Sequence, residues 1–261
     1  MRLAVVPVLV LLGCLPPHLD LGPQGEARSA EELLRRVDAA EASVQGLSGE
    51  ARLELAGPQG RVAVALFAAV GQSASLHLEQ LDFFGRPRLL LVTDGHRFLL
   101  HDAEAGRWYA GPATRASLAR FLPVPLAPGE LAALLLGRAP RLAPASAELT
   151  LDATRGRYRL TLTRGNRVQQ LEVDPASARV LRSTLDGAQV EFSRLEAQGG
   201  AVFPRRVRLE RTAQRTSLEL SWTELSLDPR DDPALFSLLP PAGTPVEELD
   251  ELGEGKVDAR P

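Results

Sequence analysis

The chain has 261 residues, 44% of them hydrophobic and 24% charged, with a formal net charge of −3. These are the values of a folding globular chain, which sets aside wholesale disorder and a polytopic membrane protein. Thirty basic against 33 acidic residues leave no global positive field, so nucleic acid is excluded as a partner. Every basic residue but Lys256 is arginine, a skew that reflects codon composition and marks no binding surface.

At the N-terminus, Arg2 precedes the apolar run Leu3 to Leu12. That run is too short for a bilayer core of roughly 30 Å and has the pattern of a secretory signal. Its end, Leu11-Leu12-Gly13-Cys14, resembles a bacterial lipobox, in which the thiol is acylated and becomes the first residue after cleavage. Cys14 is the only cysteine; it has no disulfide partner and is expected to be the lipid anchor. In enteric bacteria an Asp after that cysteine favours inner-membrane retention, and here the residue is Leu15, so residence at the outer membrane, facing the periplasm, is expected. Residues 1–13 therefore read as a signal and 14–28 as the acylated cysteine and a flexible tether of Pro, Gly and charge.

The folded domain is expected over 29–245. Ser29 and Glu32 form the two halves of a capping box, and Leu33, Val37, Ala40, Val44 and Leu47 recur at helical spacing, with Glu31, Arg35, Arg36 and Glu41 assigned to the surface. From Gly49 the period changes to two: Ala51, Leu53 and Leu55, the turn Gly57-Pro58-Gln59-Gly60, then Val62, Val64 and Leu66 make a hairpin. About eleven strands follow this pattern between 49 and 227, interrupted by short helices around Thr114 to Phe121 and Pro128 to Arg138. There is no strand-helix-strand alternation, so the fold class is α+β, with one large curved antiparallel sheet. A sheet of that size closes into a barrel or curls round helices on its concave face, and the helices favour the second. Residues 246–261 are acidic and Gly-containing and are expected to be a frayed tail.

Alternation nominates inward-facing side chains: Leu53, Leu55, Val64, Leu66, Leu76, Leu78, Leu90, Val92, Phe98 and Leu100, with Leu131, Leu134 and Leu135 above them. The same pattern serves a packed core or a cavity. Enzyme chemistry finds no support. His18, His77, His96 and His101 lack metal-ligand spacing, Gly71-Gln72-Ser73-Ala74-Ser75 lacks the second Gly of a nucleophile elbow, and no phosphate-binding Gly loop is present. No catalytic residue, metal or cofactor is therefore expected. The group Arg155, Arg157, Arg159, Arg164 and Arg167 reads as a charged hairpin, or as a patch for head groups or a partner's acidic surface.

Several segments, in order, resemble the LolA/LolB-type lipoprotein carriers and receptors of the bacterial envelope. Leu47-Ser48-Gly49-Glu50-Ala51-Arg52 is similar to the family's first strand entry. Leu81-Asp82-Phe83-Phe84-Gly85 is similar to the loop that carries an exposed apolar residue before a Gly. Pro123-Val124-Pro125-Leu126, Glu130-Leu131 and Leu136-Gly137-Arg138-Ala139-Pro140 resemble its helical insert, and Leu235-Phe236-Ser237-Leu238 with Pro240-Pro241-Ala242-Gly243 its C-terminal ending. The resemblance implies an incomplete antiparallel β-barrel whose apolar cavity, lidded by helices, binds the acyl chains of lipoproteins or lipids. The carrier of that family has no anchor and the receptor does, so Cys14 points to the LolB-like side and to a periplasmic LolA-like carrier as donor. It also implies that Phe84, with Phe83 beside it, touches the bilayer; the alternative is that the pair staples its loop to the core. Function on this reading is lipoprotein or lipid transfer at the outer membrane, by a monomer. The second reading is a structural or assembly lipoprotein without cargo that binds an envelope partner through the basic hairpin or the acidic tail. A hydrolase is a remote third.

Overall fold

The structure, a computed structural model, describes residues 20–261 except 59, 123, 125, 228–232, 253, 254 and 257–261. The signal, Cys14 and His18 lie outside the described residues. Six strands, β1 (Leu47–Gly57), β2 (Gly60–Val70), β3 (Leu76–Leu81), β4 (Pro87–Thr93), β5 (Arg97–Asp102) and β6 (Arg107–Pro112), follow helix α1 (Ala30–Ala42). Helices α2 (Arg115–Leu118) and α3 (Pro128–Leu135) lead to β7 (Ser146–Asp152), β8 (Arg157–Arg164), β9 (Arg167–Val173), β10 (Val180–Leu185), β11 (Ala188–Gln198), β12 (Ala201–Arg211) and β13 (Thr216–Ser226). Two short strands end the chain, β14 (Val246–Leu249) and β15 (Gly255–Lys256).

Among the described residues all fifteen strands belong to one sheet, ordered β15-β14-β6-β5-β4-β3-β2-β1-β13-β12-β11-β10-β9-β8-β7. The first six strands meander outward from β1. The chain then crosses by way of the helices to β7 at the far edge and returns strand by strand until β13 pairs with β1. Every pairing is antiparallel except β14 with β6. Strands β15 and β7 do not meet, so the sheet is not closed. Short turns keep the order: at Asp186-Gly187 both residues have positive φ (49° and 74°), the conformation a two-residue hairpin turn demands. At Asp94 the carboxylate accepts from the backbone N–H groups of Arg97 and His96, both at 2.8 Å, and those bonds hold its pKa below the usual carboxylate range.

One face of the sheet carries the apolar residues. Leu47, Ala68, Leu76, Leu91, Leu100 and Trp222 belong to one buried cluster, and Tyr158, Leu160, Leu171, Val190 and Phe192 to a second. Helix α1 packs on the second cluster through Leu33 and Val37. Ser29 caps its N-terminus, accepting from the Glu32 N–H at 3.2 Å, while Glu32 reaches back to the Arg28 N–H at 3.0 Å.

Three sequence expectations change. Glu41 does not lie on the surface: it is 6% exposed, four residues beyond Val37 on the same buried stripe. Arg141 Nη2 donates to it at 3.0 Å, but burial outweighs the arginines around it and pushes its pKa up. Residues 20–28, assigned to the tether, are fixed to the domain where described: the Ala27 N–H donates to the Tyr158 hydroxyl at 2.7 Å, and Arg36 donates to the Gly25 carbonyl at 2.7 Å. The start of the expected frayed tail is strand β14, with Leu249 buried, Glu248 paired with Arg97 at 2.8 Å and Glu247 with Arg120 at 3.1 Å. Its acidic residues are counter-ions, which composition alone did not reveal.

Candidate functional site

Between the concave face and the segment 120–135 lies a cavity of about 440 Å³, within the roughly 300–1,000 Å³ of small-molecule sites. Its floor comes from β1 (Leu53, Leu55), β2 (Val62, Val64, Leu66), β3 (Leu78), β4 (Leu89, Leu91), β12 (Val207) and β13 (Leu218, Leu220). Its other wall comes from Phe121, Leu122, Val124, Leu126 and, on α3, Leu131, Leu134 and Leu135. Among the described residues only Gln80 and Arg120 add polar side chains, and Arg120 is turned to Glu247 and lies over the Tyr109 ring at 5.1 Å. The register builds the floor: Ala51 faces Leu66, Leu53 faces Val64 and Leu55 faces Val62, while Leu53 also faces Leu220 and Leu55 faces Leu218. A groove along Leu55, Val62 and Val124 continues the cavity to the end of the strands at the β1–β2 turn, where Val62 is half exposed.

Of the nominated inward residues, Leu53, Leu55, Val64, Leu66, Leu78, Leu131, Leu134 and Leu135 stand at this cavity. Leu76, Phe98 and Leu100 fill the adjoining core instead. Leu90 and Val92 stand on the other face of β4, opposite Glu79 and His77, and Leu89 and Leu91 take the inward positions. Four consecutive apolar residues, Leu89 to Val92, carry no period of two, so parity had to come from the partner strand. Sequence reasoning also missed Phe121, Leu122, Val207, Leu218 and Leu220; the alternation of Leu218 and Leu220 along β13 was the available signal. Of the four alanines of β2, Ala63, Ala65 and Ala69 take the face away from the cavity, and Ala68 on the inward face is packed in the adjoining core.

The turn 82–86 lies at the same end of the strands as the β1–β2 turn, since Leu81 pairs with Ala65 in antiparallel strands. Here Phe83 is 97% and Phe84 77% exposed, their rings edge to face at 5.6 Å. The pair does not staple the loop to the core. Asp82 holds the turn: it accepts from the N–H groups of Phe84 (2.8 Å) and Arg86 (2.9 Å), and Gly85 at φ 75° takes the left-handed position. Arg86 stands 5.3 Å from the Phe84 ring. A large apolar surface is thus fixed in water at the strand end that the groove from the cavity also reaches.

No protein-family model matches the chain, and no curated protein matches it. Solved structures do. A DUF1329 family protein from Desulfovibrio piger is 14% identical over 80% of this chain and 95% of its own, with a TM-score of 0.55. A domain from Vibrio parahaemolyticus named for outer membrane lipoprotein sorting is 11% identical over 79% and 97% (TM-score 0.54). A LolA superfamily protein from Nitrosomonas europaea is 14% identical over 81% and 99% (TM-score 0.54). The chain has a LolA-like fold. In that fold the cavity lies against the middle strands of the sheet, and the two exposed phenylalanines stand at the same strand end as the β1–β2 turn that its groove reaches.

The remaining candidates have structural partners in this LolA-like sheet. His77 Nδ1 lies 2.6 Å from the Leu235 carbonyl oxygen, joining the short helical turn Pro233–Phe236 to β3. His101 stacks on Trp108 at 4.3 Å. Gly71 meets the Phe236 ring, which a Cβ there would approach to 2.8 Å. In the basic hairpin, Arg157 pairs with Glu172 at 2.5 Å and Arg167 with Asp186 at 2.6 Å, so much of its charge is compensated. Among the described residues no group of three or more His, Cys, Asp and Glu side chains could hold a metal ion, and no helix is long and apolar enough to cross a membrane.

Proposed function

We propose that this protein is an envelope lipoprotein, anchored to the outer membrane through Cys14, whose LolA-like cavity takes acyl chains beneath a lid formed by α3 and the segment before it. It takes part in lipoprotein or lipid transfer, on the LolB-like side of such a system, with a periplasmic LolA-like carrier as donor. The observation that carries the reading is the cavity itself: about 440 Å³, walled by leucine, valine and phenylalanine, and continuous with a groove to the β1–β2 turn. Such a space takes no polar substrate, because any group it desolvates goes unpaired. For an acyl chain it is favourable by about 0.8 kcal/mol per methylene, so a ten-carbon stretch gains about 8 kcal/mol before ordering costs.

Phe83 and Phe84 supply the second half of the function. Exposed aromatic rings are costly in water and favourable at a lipid interface, so the mouth of the cavity is presented to the membrane that receives the cargo. Two variants separate these roles. Leu66→Trp, which fills the cavity, is expected to abolish uptake of a fluorescent fatty acid while the fold is kept. Phe84→Glu is expected to keep uptake and lose release into vesicles. Normal uptake by Leu66→Trp would overturn the cavity reading, and normal release by Phe84→Glu would remove the membrane role of the loop.

A further inference from the structure

We propose that a second, polar chamber beside the apolar cavity receives the phosphate headgroup of a diacyl lipid whose chains lie in the cavity, with Arg211 as its anion-binding group. This rests on the acyl-chain reading given above and adds what the cargo carries at its polar end. The chamber measures about 360 Å³ and shares Leu126 and Leu134 with the apolar cavity. Their floors also adjoin, since Leu209 in the chamber faces Leu218 in the cavity across β12 and β13. A bound molecule can therefore pass from leucine surroundings to charged ones within a single side chain's width.

Arg211 lies two residues beyond Leu209 on the same face of β12, opposite Ala188 and Thr216 at the last register of the strand. Two further arginines border the chamber, and each is held by a carboxylate: Arg115 by Glu130 at 2.5 Å and Arg167 by Asp186 at 2.6 Å. Arg211 has no ion-pair partner among the described residues, and its Nε is buried without an acceptor. Arg157 and Arg182 also bury an unpaired Nε, yet both keep a carboxylate, Glu172 at 2.5 Å and Glu191 at 3.2 Å. Among the described residues, three guanidinium groups against two carboxylates leave the chamber one positive charge in excess, which matches the single negative charge of a phosphodiester. A guanidinium accepts such a group through paired N–H donors, and partial burial strengthens the bond.

The test uses the full chain and two probes with identical chains, dioctanoyl phosphatidylglycerol and dioctanoylglycerol, each titrated calorimetrically. The phospholipid is expected to bind about ten-fold tighter. Arg211→Gln should erase that preference and leave dioctanoylglycerol affinity unchanged, and Arg211→Lys should retain part of it. Arg208→Gln removes the same charge from the opposite face of β12 and should keep the whole preference. Equal affinities in the unmodified chain, a preference that survives Arg211→Gln, or an equal loss in Arg208→Gln would each overturn the headgroup site while leaving the cavity reading intact. Binding of neither probe would instead overturn the cavity reading itself.

Discussion

Phe84 makes no contribution to the core that its removal would expose, so Phe84→Ser should leave thermal stability within a degree or two while sharply reducing co-sedimentation with lipid vesicles. Glu41 behaves in the opposite way, since its burial has thermodynamic consequences and no bearing on lipid. Its folded-state pKa is raised, so its contribution to stability is complete below the ordinary carboxylate range and is lost as pH rises through the raised value. Glu41→Gln should therefore gain on the unmodified chain in denaturant unfolding as pH goes from about 4 to about 7. Parallel curves over that range would contradict the assignment. The two residues also mark what a sequence can reveal one position at a time. The Phe-Phe-Gly turn was legible as a motif, though not whether it was exposed. Glu41 looked like a surface charge, yet its spacing of four from Val37 already placed it on the inward stripe, and only the arginines that reach it from residues 138, 141 and 179 make it tolerable.

Elements were legible wherever the period was clean. The β1–β2 hairpin follows from strict alternation, and the start of β1 also explains a glycine, because a Cβ at Gly49 would fall against the Glu224 carbonyl oxygen where β1 and β13 shift register. Parity in β4 was not legible, as four consecutive apolar residues fit either face and β3 decides between them. Strand β14 was hidden for a different reason. It is a four-residue parallel strand whose stability comes from its partners, Leu249 in the core and arginines on β5 and in the segment after α2. Between α3 and β7 the connection is held to the sheet by the buried side chain of Gln169: its Oε1 accepts from the Leu142 N–H at 2.6 Å, and its Nε2 donates to the Pro140 carbonyl and to Ser183, both at 2.8 Å. Gln169→Leu strands those groups, and a loss of about 3 kcal/mol is expected in chemical denaturation. Because α3 forms a wall of the cavity, the same variant should also weaken acyl-chain binding.

At the scale of the molecule, the sheet's two edges do not pair among the described residues, and α1 and α3 pack on its two apolar clusters. The apolar pattern along the strands is compatible with a filled core as well as with a cavity. What separates the two is how closely residues 120–135 approach the floor, a tertiary distance that strand alternation does not encode. Here that approach leaves about 440 Å³ against the middle strands. The groove from the cavity, the exposed aromatic turn and the polar chamber all lie toward the same end of the strands, the arrangement that the proposed delivery of chains to a membrane calls for.

Native mass spectrometry of the chain, purified from an envelope-containing host and then challenged with a diacyl lipid, tests the cavity most directly. Bound mass in the acyl-chain range, displaced by the added lipid, is the predicted result. An unliganded mass that stays unchanged on challenge would contradict acyl-chain binding and leave this fold without a cargo.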